Sequence, residues 1–199
     1  MALIKSVAIE IAIECKKRNI DIDYFKLQKL AYISQCVHYE LYNVPLSPEK
    51  IINDSGGPRY NEIYVFFNKY EPSFTLKNTT INKLEKYRDL INYDLLMFEK
   101  ATINFVIDNF AEKSVKHLIE TTKLDPYIKN LNIGDRIYLD KLNYYFISNV
   151  EKENFSDNYK DAFTKKSEAY ESFDENCFKK EKVKSLKLID SVGNNKKIK

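Results

Sequence analysis

Tryptophan is absent from the 199-residue chain, and glycine and proline contribute only 4 and 5 residues. So little turn-forming material excludes collagenous and low-complexity classes, and it leaves small room for a β-sandwich or barrel. Cysteine is scarce as well: the 3 residues Cys15, Cys36 and Cys177 are odd in number and widely spaced, which argues against a disulfide framework. No run approaches the roughly 18 apolar residues of a membrane span. A strong charge of either sign is also missing. The 32 Lys and Arg against 29 Asp and Glu leave +3, without the basic surplus of a nucleic-acid-binding domain. The opening residues are mildly apolar, but Lys5, Glu10 and Glu14 interrupt them where a signal peptide runs unbroken. A soluble, cytoplasmic protein is expected.

What is present is apolar and aromatic. Hydrophobic residues make up 44% of the chain, and Tyr and Phe supply 15 and 12 residues, enough for a core. Leu3 to Arg18 fits a strand through the alternation of Val7, Ile9, Ile11 and Ile13. It equally fits a helix through Leu3, Ile4, Val7, Ala8, Ile11, Ala12 and Cys15. Its length and its Ala, Glu and Lys content favour the helix. Asp21 or Asp23 is available to cap a clearer helix, Phe25 to Tyr42, with Leu27, Leu30, Ala31, Ser34, Val37 and Leu41 on one stripe. Pro45 and Pro48 follow its end.

Asn53 to Pro58 is the strongest turn signal, and its proline sets up a helix start. The helix behind it carries Ile63, Phe66, Phe67 and Tyr70 on one side and stops at Glu71-Pro72. Thr80 to Phe110 reads as one long helix or two joined end to end. Ser114 to Thr122 reads as a short helix broken by Asp125-Pro126, and Ile128 to Phe146 as a last apolar block punctuated by Gly134. The sum is an all-α fold: a compact multi-helix domain over residues 1–147 and a charged extension over 148–199, partly disordered. In that extension Phe155, Tyr159, Phe163, Tyr170, Phe173 and Cys177 fall near helical spacing, and the terminal lysines read as a mobile end.

The residue types offer little catalytic chemistry. Cys36-x-His38 is the only close Cys–His pair, and two positions apart on a helix they point away from each other. Packed thiols are expected at Cys15 and Cys36. His38 and His117 read as helix-surface or second-layer residues, and no zinc-type spacing exists. Asp21, Asp23, Asp54 and Glu62 fit a cap and a solvated loop better than a metal-binding carboxylate cluster. Gly56-Gly57-Pro58 could present N–H groups to an anion, but it lacks the Lys-Ser/Thr of a phosphate loop and reads as a tight inter-helix turn. No catalytic residue, metal or cofactor is expected. Gln28 and Lys29 read either as polar residues serving a neighbouring element or as the border of a binding groove. With Arg59, Tyr60, Tyr64 and Phe67 they form the expected partner-contact set, since aromatics enrich interface cores.

Three blocks occur in a familiar order. Phe25 to Tyr32, with Leu27, Gln28, Lys29 and Leu30, resembles the L-Q-K-L-L-Y core of the SocA-like, or Panacea, antitoxin domains. Gly57-Pro58, about 27 residues further on, resembles that family's G-P motif, and Ser114 to Pro126 its third block, which closes on Asp125-Pro126. Gly56 stands where an aromatic usually precedes the G-P, and Tyr127 where a Trp usually follows the D/E-P. The resemblance implies a non-enzymatic, phage-associated interaction module. It would act in a toxin–antitoxin system by direct contact with a toxin, or as an adaptor delivering the toxin to a protease. The alternatives are a phage or mobile-element inhibitor of a host defence nuclease and, less favoured, a nucleic-acid-binding regulator built on the Lys-rich terminus.

Overall fold

The apolar run near the N-terminus is a helix buried on every side, which is why its periodicity is ambiguous. The computed structural model describes residues 1–70, 78–91, 93–143 and 146–147. In it α1 spans Ile4–Lys17, and between Ile4 and Cys15 only Lys5 and Glu14 escape full burial. A helix buried all round sits in the middle of a domain, and its apolar residues then show no single stripe. Four helices cover it: α2 (Tyr24–Tyr42), α3 (Asn61–Tyr70), α4 (Ile81–Ile91) and α5 (Met97–Phe110).

Local chemistry sets the helix ends. The Asp23 carboxylate accepts the Lys26 N–H at 2.7 Å and caps α2, whose other end is turned by Asn43 in the left-handed region at φ 52°. The stretch 80–110 is two helices, and the Glu99 carboxylate takes the Leu96 N–H at 2.8 Å where the second begins. Ser114 caps α6 (Val115–Thr122) through the His117 N–H. Asp125-Pro126 does more than break that helix. It starts α7 (Pro126–Lys129), with Asp125 as cap and proline in the first turn.

The all-α expectation holds for the bulk of the molecule, but a small sheet escaped it. β1 (Ile51–Ile52) lies between β2 (Arg59–Tyr60) and β3 (Arg136–Ile137), antiparallel to both, with Ile51 opposite Tyr60 on one side and Ile137 on the other. Two-residue strands leave no periodicity to read. The sheet also corrects the role given to Pro58: the chain enters β2 behind it, and the helix starts later, at Asn61.

Phe105, Tyr32, Phe67 and Tyr60 are the largest fully buried side chains. Phe146 closes one end of the core against Tyr32 and Phe110, at ring-centroid distances of 6.2 and 6.0 Å. A short 3-10 turn, Leu139–Lys141, follows β3. Among the described residues no helix is long and apolar enough to cross a membrane. The expected extension over 148–199, with its aromatic spacing and terminal lysines, lies outside the described residues. Phe105 on α5 is fully buried, so truncating its ring leaves a cavity in the core. Phe105→Ala is therefore expected to cost about 3–5 kcal/mol of unfolding free energy, measured by urea denaturation.

Candidate functional site

Gln28 and Lys29, adjacent on the first half of α2, reach across to the Gly57-Pro58 turn and hold it. The Gln28 carboxamide makes two bonds to one residue: its Oε1 accepts the Tyr60 N–H at 2.9 Å, and its Nε2 donates to the Tyr60 carbonyl at 3.0 Å. Because β2 is an edge strand, these backbone groups have no further strand to pair with, and the side chain stands in for one. The second Nε2 hydrogen goes to Tyr24 Oη at 2.5 Å, so both amide hydrogens are used. Lys29 Nζ donates to the Pro58 carbonyl at 2.8 Å, and Lys123, just past α6, donates to the Ser55 carbonyl at 2.5 Å.

Gly57 is irreplaceable in this arrangement on two counts. Its φ is +87°, and a β-carbon there would lie 3.2 Å from Lys123 Cε and 3.4 Å from Lys29 Nζ. Arg59 pairs with Asp54 across the turn at 2.5 Å. Lys29 is only 2% exposed, and burial, with help from the neighbouring Lys123 and Arg59 charges, pulls its amine down to about 8, against the opposing pull of Asp54.

The structure divides the expected contact set. Gln28 and Lys29 are buried and serve the turn. Tyr60 and Phe67 are core residues, which corrects their expected exposure. Tyr60, on β2, is fully buried, and Phe67 is on the inner side of α3. Arg59 is partly exposed, and Tyr64 is exposed on the outer side of α3. The motif residues Leu27 and Leu30 are fully buried. Asp125 is buried too, and its two oxygens take the N–H groups of Tyr127 at 2.7 Å and Asn143 at 2.6 Å, tying α7 to the segment behind the 3-10 turn.

Sequence reasoning missed Tyr24, Phe25 and Lys123. Phe25 is 58% exposed, and Tyr24 bridges it to Tyr64, with ring centroids at 5.8 and 6.2 Å, both edge-on. These three rings form an exposed patch beside the clamp, joined to it by the Tyr24–Gln28 bond. Spacing gave no signal for Phe25: Lys29, one turn further along the same face of α2, is itself buried.

The remaining candidates for chemistry are engaged elsewhere. Burial raises the Cys15 thiol to about 12 and pushes Cys36 higher still, so neither is a thiolate at neutral pH. Of the two places expected for His38, helix surface or second layer, the structure excludes the surface. His38 is buried, stacked on Phe98 at 5.8 Å, with Nδ1 3.2 Å from Thr102 Oγ1. His117 is exposed. Asp23 caps α2 and Asp54 faces Arg59. Among the described residues no three His, Cys, Asp or Glu side chains converge as a metal site would require.

A family model described as antitoxin SocA-like, Panacea domain, matches residues 27–127, just over half of the chain, and the chain belongs to that family. The matched stretch contains both halves of the clamp, Gln28-Lys29 and Gly57-Pro58, together with Asp125-Pro126. No curated protein and no solved structure matches the chain.

Two outcomes are expected of the clamp. Gln28→Leu strands the N–H and C=O of Tyr60 in the interior and should cost about 2–5 kcal/mol, read from chemical denaturation. For Lys29 the sign follows from its lowered amine: the folded state releases the proton near pH 8, the unfolded chain near 10.5. Its contribution to stability therefore rises with pH across that window. The stability difference between wild type and Lys29→Met should move toward wild type by on the order of 2 kcal/mol from about pH 7 to about pH 10.

Proposed function

We propose that this member of the SocA-like Panacea family is an antitoxin that neutralises a toxin stoichiometrically, without catalysis, through the face built around Tyr24, Phe25 and Tyr64. One observation carries the choice of face: three aromatic rings stand in mutual edge contact, two of them on the surface, beside the turn that the family motifs build. Exposed aromatics of this kind are the usual anchors of a protein interface. Tyr24, which touches both other rings, is held by its bond to Gln28, and this limits the side-chain freedom lost on binding.

In this reading the family motifs build the platform and the exposed residues choose the toxin. Direct contact with the toxin, in the cytoplasm, is the whole mechanism. Delivery of the bound toxin to a protease is compatible with the same contact, since only one face is occupied.

The test is co-expression with the product of the adjacent reading frame. That product should arrest growth alone, and the chain should restore growth and co-purify with it. Phe25→Ala and Tyr64→Ala should each weaken the complex about ten- to thirtyfold with the fold unchanged by circular dichroism. Turnover of a substrate by the purified chain would remove the reading, as would growth rescue without a stable complex.

A further inference from the structure

The turn beside the aromatic patch carries more positive charge than its own carboxylate offsets. Lys29 and Lys123 approach Gly57 from α2 and from the end of α6, with Lys29 Nζ and Lys123 Cε within 3.4 and 3.2 Å of one point. Arg59 stands across the same turn. Each ammonium gives a hydrogen to a carbonyl, but a carbonyl dipole does not cancel a unit charge. Among the described residues, Asp54 is the one carboxylate whose charge favours the Lys29 ammonium, while Lys123 and Arg59 both oppose it. Three cations thus face one carboxylate, and Asp54 is already taken by Arg59.

The shape of this excess points to a class of ligand. The cations are gathered at one turn, not strung along a groove, so they suit a point anion better than a phosphodiester backbone. The neighbouring rings meet at interplanar angles of 73° and 72°, an uneven surface for apolar side chains and not a flat platform for stacked bases. A carboxylate beside an apolar side chain, both from a protein, complements the two halves together.

We propose that the Gly57-Pro58 turn is a carboxylate-recognition subsite, in which an Asp or Glu side chain of the bound toxin sits against Lys123 and Arg59 while its apolar neighbour rests on Phe25 and Tyr64. This rests on the reading of that face as the toxin-binding surface. Lys29 lies beneath, out of reach of the ligand, and adds its field. Asp54 is the internal competitor that the incoming carboxylate joins or displaces.

The experiment titrates the full chain with an acetylated, amidated peptide of alternating Glu and Tyr, followed by the Gly57 amide resonance, with the Gln and Tyr peptide as the uncharged control. The Glu peptide should shift Gly57 and the Gln peptide should not. Lys123→Glu should abolish the shift. Asp54→Asn, which removes the competitor, should tighten binding roughly two- to fivefold, the reach of a half-exposed charge pair. Unfolding does not produce both responses, because they run in opposite directions.

Equal binding of the Gln peptide, or affinity unchanged in both variants, would overturn the subsite. Tighter binding of an oligothymidylate would overturn it in favour of nucleic acid. The subsite and the face fail separately. If Phe25→Ala weakens the toxin complex but Lys123→Glu and Asp54→Asn do not change it, the subsite is lost and the face stands. If Phe25→Ala and Tyr64→Ala leave the complex intact, the face itself is wrong.

Discussion

A glutamine that bonds both the N–H and the C=O of one distant residue supplies, from a helix, the rung that a further strand would otherwise provide. α2 does this twice on one side. Gln28 clamps Tyr60, and seven residues on, Gln35 clamps Ser47, with its Oε1 accepting the Ser47 N–H at 2.9 Å and its Nε2 donating to the Ser47 carbonyl at 3.1 Å. Lys29 adds a bond to Pro58, and the Glu40 carboxylate takes the N–H groups of Phe146 and Ile147 at 2.7 and 2.9 Å. Three non-helical segments far apart in sequence therefore hang from one helix. Buried backbone groups left without partners cost about 1–3 kcal/mol each, so these segments have little freedom to settle elsewhere. The miniature sheet, with two residues per strand, depends on this support.

Much of the helical framework was legible because capping chemistry is local. Asp23, Ser114 and Asp125 mark helix starts by residue type and position, and the α2 stripe has ordinary amphipathic spacing. α1 was ambiguous because burial on every side erases the contrast between faces that periodicity detects. The sheet and the clamps were hidden for a different reason. A glutamine that completes a strand edge 32 residues away looks, in sequence, like any polar residue on a helix. Tyr60 and Phe67 were misplaced because aromatics suit an interface and a core equally well, and only the path of the chain decides between them. Lys123 gave no signal, since its turn lies 68 residues earlier.

The clamp also ties an architectural duty to a placement of charge. Lysines that satisfy carbonyls in a glycine-dependent turn bring their charges with them. The exposed rings nearby are free of that duty, so their identity can change without disturbing the turn.

The central position of α1 has a consequence for how the molecule is born. This 14-residue helix leaves the ribosome before any of the helices that cover it, and its cover is complete only when α5, ending at Phe110, has been made. Through that interval the nascent chain carries a helix whose many apolar side chains have no cover yet. Contacts so distant in sequence also form slowly, which lengthens the exposure. The order of synthesis thus leaves α1 uncovered longest, and any lesion that delays α4 or α5 prolongs that exposure.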